Sequence, residues 1–185
     1  MKSPVSRVVP ALAALLLAGC AVPPPAQVAA PPGYLEDARK LAAAVPANLL
    51  TVLTAELNRS GPAGAIEVCR DKAPEMARAA SERSGWNVRR ASLRNRNPKG
   101  VPDAWERAAL ERFDAQAAAG TAPPTLETYQ VVSEDGRQVF RYAKALPTQP
   151  LCVQCHGPAD KLSEPVKAKL RALYPNDRAT GYEPG

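Results

Sequence analysis

From residue 34 to 59 the apolar positions fall on a helical period. Leu35, Ala38, Leu41, Ala42, Val45, Leu49, Leu53 and Leu57 recur at intervals of three and four. Pro46 has no N–H to give to a helix, so a kink or split is expected there. Ser60-Gly61-Pro62 ends this helix and opens the next. Residues 64–84 continue the helical pattern. An interruption is expected at Pro74, which places Cys69 just before a break, and Ser84-Gly85 closes the stretch. Residues 86–93 are expected as a strand and residues 95–102, rich in Asn, Pro and Gly, as a loop. Asp103 is suited to cap a helix whose apolar face carries Trp105, Ala109 and Phe113. Residues 125–145 predict a β-hairpin. Tyr129, Val131, Val139 and Tyr142 are strand formers, and Glu134-Asp135-Gly136-Arg137 is a turn signal between them. A last helix over 164–174 puts Val166, Leu170 and Leu173 on one side and is stopped by Pro175.

The start of the chain has a different pattern. Lys2 and Arg7 precede an apolar run over 8–17, long enough for an export signal and too short to span a bilayer. The run ends in Leu17-Ala18-Gly19-Cys20, which resembles a bacterial lipoprotein box and implies diacylation of Cys20. The alternative is a plain secretory signal cut near Ala21. Acyl chains contribute about 0.8 kcal/mol per buried methylene, so lipid on Cys20 would hold the protein on a membrane. Ala21 does not resemble an inner-membrane retention signal, which favours the periplasmic side of the outer membrane. Residues 21–33, rich in Pro and Ala, read as an extended spacer. The expected organisation is therefore a leader over 1–19, a tether over 20–33 and one domain over 34–185. The net charge of +6 is spread too thinly for a nucleic-acid partner.

The four cysteines narrow the chemistry. Cys20 is assigned to lipid. Cys152-Val153-Gln154-Cys155-His156 is a C-x-x-C-H, the spacing of c-type haem attachment. Two thiols separated by two residues can reach both vinyl groups of one haem, and the next residue can place an imidazole on the iron. A zinc site would need more ligands, and a redox dithiol would need a thioredoxin-like setting. Cys152 and Cys155 are thus the expected thioether positions and His156 the expected proximal ligand of one covalent haem c.

His156 is the one histidine, so two histidine ligands within one subunit are excluded. The sixth position falls to Met, Cys, Lys, the amino terminus, water or nothing. Once the leader is removed, Met76 is the methionine available. Cys69 is the unassigned thiol, for which a buried structural role and an intermolecular disulfide are the alternatives. Arg89, Arg90, Arg94 and Arg96 could pair with haem propionates through bidentate guanidinium contacts, and Arg94 is the chosen candidate.

Four ordered motifs carry a resemblance. The first is Gly64-Ala65-Ile66-Glu67-Val68-Cys69-Arg70-Asp71-Lys72-Ala73-Pro74. The second is Arg89-Arg90-Ala91-Ser92-Leu93-Arg94-Asn95 with Asn97-Pro98 and Pro102-Asp103. The third is Phe140-Arg141-Tyr142 ahead of Cys152-Val153-Gln154-Cys155-His156-Gly157. The fourth is Tyr174-Pro175-Asn176-Asp177 with Ala179-Thr180-Gly181-Tyr182. Together they resemble the PAS-like single-haem c-type domain family, the Tll-like haem domains of unknown function, over the whole of 34–185. The resemblance implies an α+β fold, a PAS-like antiparallel β-sheet with flanking N-terminal helices around one covalent haem. It also implies an axial pair of His156 and Cys69. Related chains run past the Gly-Tyr motif into a further strand, so an edge strand is expected to be missing here.

The expected function is one-electron transfer or redox sensing by a periplasmic, lipid-anchored haem protein with a separate redox or signalling partner. A carbon monoxide or nitric oxide sensor is the alternative. Enzyme activity is not expected, because peroxidase chemistry needs an open iron and a distal acid/base, and the lone histidine is already assigned.

Overall fold

The computed structural model describes residues 28–185, so Cys20 and the leader lie outside the described residues. Helix α1 spans Tyr34–Glu67. It runs through Pro46 without the expected kink. The one non-helical residue inside it is Gly61, at φ 66° and ψ −177°, and Pro62 starts the segment beyond. Glycine suits that position because positive φ carries no Cβ penalty for it.

The expected interruption at Pro74 takes another form. Residues Val68–Lys72 form a π-helical turn, and α2 follows directly over Ala73–Ser84. Pro74 has no N–H, and its ring would collide with the carbonyl of Arg70 in a regular α-helix. The wider turn relieves the collision, and the Ala73 N–H bonds to the carbonyl of Val68, five residues back. Cys69 therefore sits inside an unbroken helical path, in its widened turn.

The hairpin forms where the pattern placed it. Strand β1 is Glu127–Glu134 and β2 is Arg137–Lys144, paired antiparallel with Glu134 opposite Arg137. Asp135 and Gly136 have φ of 50° and 76°, the two positive values that a type I′ turn requires. Tyr129 stands opposite Tyr142 and Val131 opposite Phe140, so these four share one face. On that face Phe140 stacks with Tyr129 and meets Tyr34 and Trp86 edge-on. Below them, Tyr142 Oη donates to Glu127, which also pairs with Arg39 of α1. The opposite face meets α3, Ala104–Ala118. Trp105 Nε1 donates to Gln130, and the Arg141 guanidinium lies 4.7 Å from the Trp105 ring centre. Asp103 caps α3 in a reciprocal capping box with Glu106, and Ala109 and Phe113 are buried, as the pattern indicated.

Among the described residues the sheet has these two strands, and the fold is α+β. The strand expected over 86–93 does not form. Its backbone is satisfied by single partners rather than a ladder. The Val88 N–H donates to Ser81 Oγ, and the Ser92 N–H donates to the carbonyl of Gly100.

A second core lies beside the C-x-x-C-H segment. Ile66 packs with Leu162, Val166 and Leu170, with Ala63, Cys155, Leu173 and Tyr174 around them. Val166 and Leu170 belong to helix α5, Glu164–Leu173. Burial of each large side chain is worth about 1.5–3 kcal/mol. By length and composition α1 and α2 together could cross a bilayer. Here α1 is the spine of the domain, in contact with α2, β2, α5 and the one-turn helix α4, Val153–His156.

Candidate functional site

Cys152 ends a short 3-10 turn that starts at Pro150, and Cys155 and His156 lie on α4. Two turns in succession coil the segment tightly, and Cys152 and Cys155 on it are free thiols, as is Cys69. Gly157 must follow, because a Cβ there would stand 2.5 Å from the carbonyl of Val153.

The carbonyl of Ala179 fixes the His156 ring. Nδ1 of His156 lies 2.8 Å from that oxygen. A carbonyl only accepts, so Nδ1 carries the proton and Nε2 keeps its lone pair. Burial, then the charge of Arg96, pushes the imidazole pKa down to about 4, with Arg90 acting in the same direction. The ring is therefore neutral near pH 7 and able to act as a ligand.

The backbone around it is cross-linked. Tyr182 N–H donates to the carbonyl of His156 and Gly181 N–H to that of Gly157, each within 2.9 Å. Arg96 Nη2 donates to the carbonyls of Cys155, at 2.6 Å, and Ala179, at 3.2 Å. Its Nε donates to Asp177 Oδ2 at 3.0 Å. The other carboxylate oxygen of Asp177 accepts from the Ala179 N–H at 2.8 Å. The second, third and fourth sequence motifs are thus tied into one unit around His156.

Cys69 belongs to the same neighbourhood. Burial pushes its thiol pKa up, Arg90 pulls it down, Cys152 raises it and Arg96 lowers it. Burial also pushes Cys155 up to about 11, and Cys69 contributes to that rise. Two thiols, Cys69 and Cys155, and one imidazole are therefore within electrostatic reach of Arg96. Cys155 lies under α1, its Sγ 3.7 Å from the carbonyl of Pro62. Among the described residues no group of three or more His, Cys, Asp and Glu side chains is placed to hold a metal ion by itself. The donor set suits a metal whose remaining ligands come with it. Met76 is half-buried on α2.

Arg94 lies at the margin of the same neighbourhood. Its guanidinium stacks 3.8 Å from the centre of the Tyr182 ring, and Nη1 donates to the carbonyls of Thr180 and Gly181. Tyr182 in turn meets the His156 ring edge-on at 6.1 Å. Arg90 is exposed and has no ion pair or hydrogen bond among the described residues, yet its charge reaches both Cys69 and His156.

The model of the Tll0287-like family matches residues 26–185, which includes every described residue. The chain belongs to the Tll0287-like family. The crystal structure of the cyanobacterial heme-protein Tll0287 aligns over 84% of this chain and 90% of its own, with a TM-score of 0.64 and 24% identity. At that identity the likeness shows a shared fold. No curated protein matches the chain.

The family resemblance read from the four motifs is thereby established. Within this Tll0287-like chain, sequence reasoning did not find the Ala179 carbonyl or the part played by Arg96. A backbone acceptor leaves no mark in a sequence. Arg96 was one of four neighbouring arginines, and its separation from Asp177 by 81 positions hides their pairing.

Proposed function

We propose that this chain is a c-type haem protein, carrying one covalent haem, that transfers single electrons or senses redox state on the periplasmic side of a bacterial membrane. One observation carries the reading. The Ala179 carbonyl holds His156 as the Nδ1–H tautomer with Nε2 free, directly beside two free thiols at attachment spacing. The haem-protein title of the structural relative supports it.

When bound, the haem iron supplies the one-electron couple. Cys152 and Cys155 would hold the group through thioethers, and His156 would ligate through Nε2. Cys69 would take the second axial position. Its buried thiol resists ionisation in the protein alone, and a nearby cationic metal favours the thiolate. A thiolate ligand donates electron density and favours the ferric form. Arg94 is committed to Tyr182 and two carbonyls, so Arg90 is the freer guanidinium for a haem carboxylate. Lipid on Cys20 would anchor the domain, and an outer-membrane position fits the residue that follows it. The reading includes no enzyme activity, and the partner is a separate redox or signalling protein.

Co-expression with a c-type maturation system should give haem that stays on the denatured chain, and Cys152→Ala with Cys155→Ala should abolish this. Extraction of the wild-type haem into acid acetone would overturn the covalent assignment. Cys69→Ser should keep the haem but lose the low-spin thiolate EPR signal, whereas Met76→Leu should leave the signal in place. The reverse pattern would make this a His/Met electron carrier. Labelled palmitate should enter the wild type and not Cys20→Ser.

A second reading is favoured by the position of Cys69 in a π-helical turn, a feature frequent at functional sites. If Cys69 leaves the reduced iron, carbon monoxide or nitric oxide could enter. Carbon monoxide binding to the reduced protein separates a gas sensor from a closed carrier.

A further inference from the structure

We propose that Arg96 is the positioning residue of this centre, locking the Cys155–His156 turn to the 177–182 segment and, with Asp177 as its counter-charge, setting the reduction potential. The inference rests on the haem reading above. It depends on His156 as the proximal ligand, reached through the Ala179 carbonyl, and not on which group takes the other axial position.

Arg96 is the least exposed ion-paired arginine among the described residues. Its side chain keeps 9% of its accessible surface and that of Asp177 keeps 13%. A charge so deeply placed is costly unless it is paired and hydrogen-bonded, and here the fork is well used. One nitrogen takes Asp177 and another takes two carbonyls. Lysine cannot copy this arrangement, because it offers one point charge and no planar fork. One of those carbonyls is that of Ala179, which also holds His156 Nδ1. Arg96 therefore competes with the imidazole for the oxygen that orients it.

Two electrical consequences have the same sign. A hydrogen-bond acceptor on a ligating imidazole makes that ring a stronger donor. By drawing on the Ala179 oxygen, Arg96 weakens this effect. Its fixed positive charge also opposes the extra positive charge of an oxidised iron, and in a partly dry site that opposition is weakly screened. Both favour the reduced form. Asp177 offsets the charge, so removal of Arg96 alone would leave an uncompensated carboxylate near the ring and reverse the bias.

The test uses four haem-loaded variants, Arg96→Met, Arg96→Lys, Asp177→Asn and the double Arg96→Met/Asp177→Asn. For each, covalent haem content, thermal midpoint and reduction potential are measured. Arg96→Met should keep covalent haem and shift the redox equilibrium at least tenfold toward the oxidised form, about 59 mV for one electron. Asp177→Asn should shift it toward the reduced form. Arg96→Lys should fall between wild type and Arg96→Met. The double variant should return toward wild type in potential even if its thermal midpoint stays low, which a merely structural role would not produce. If Arg96→Met does not fold, Asp177→Asn carries the test by its opposite sign. A redox equilibrium within threefold of wild type in Arg96→Met or Asp177→Asn would overturn the inference, as would a double variant no closer to wild type than Arg96→Met. A wild type that binds no haem would overturn both this inference and the function it rests on. Covalent haem in every variant with an unmoved potential would overturn the role of Arg96 alone.

Discussion

Ile66→Ala should loosen the joint between the N-terminal helix and the C-terminal helix beneath the candidate site. Ile66 is 3% exposed and packs with Leu162, Val166 and Leu170. The substitution removes three methyl or methylene groups, worth about 0.8 kcal/mol each in transfer from water, so roughly 2.4 kcal/mol in all. A cavity term adds to that, and Ile→Ala changes in cores typically total about 2–5 kcal/mol. The neighbours Ala63, Cys155, Leu173 and Tyr174 are only partly buried and can close some of the space. The lower half of the range is therefore expected, about 2.5–3.5 kcal/mol. For a domain of this size that lowers the thermal midpoint by roughly 5–14 °C. Urea unfolding followed by far-ultraviolet circular dichroism gives the free energy, and a thermal scan gives the midpoint. Val52→Ala, on the exposed part of α1, should cost under about 1 kcal/mol and serves as the control. A loss below about 1 kcal/mol for Ile66→Ala, or one equal to that of Val52→Ala, would refute the placement of Ile66 at the centre of this core. Ile66 lies three residues before Cys69, so the same variant should broaden the EPR signal expected from a Cys69 ligand.

Three further outcomes follow from local features. Asp103→Ala removes one half of the capping box on α3 and should cost about 1 kcal/mol in urea unfolding. Gly136→Ala meets no neighbouring atom within 4 Å but must adopt φ 76°, so it should destabilise the hairpin by about 1–2 kcal/mol through backbone strain alone. Tyr142 is held protonated well above the ordinary tyrosine range, by burial first and then by its bond to Glu127. The unfolded chain releases this proton near pH 10, so the stabilisation is complete below that pH and is lost as pH rises past it. Absorbance at tyrosinate wavelengths should show Tyr142 titrating last, after Tyr174, which burial also pushes up, and denaturant midpoints should fall above pH 10 less steeply in Tyr142→Phe than in wild type.

What could be read in advance was local. The Asp-Gly turn fixed the hairpin because φ is positive at both central residues, and few residue pairs accept that. The cap at Asp103 and the face of Ala109 and Phe113 were legible for the same reason, since each rule spans only a few residues. The C-x-x-C-H and Cys69 were visible as chemistry, and their pairing was implied by the family resemblance alone, because the π-turn that carries Cys69 arises from Pro74 acting on a carbonyl one turn earlier and follows from no local pattern. Residues 86–93 looked like a strand by composition, but a strand needs a neighbour. Ser81 and Gly100 took its backbone groups first. Prolines misled in the other direction: Pro46 and Pro74 signal breaks, and the helical path absorbs both.

The π-turn over Val68–Lys72 also limits how the chain can change length. Such a turn is what a helix becomes when it accommodates one surplus residue. Loss of one residue within the turn would ask the coil to close as a plain α-helix, and Pro74, whose ring meets the carbonyl four residues back, resists that closure. The interval between the two prolines at 62 and 74 works as a ruler.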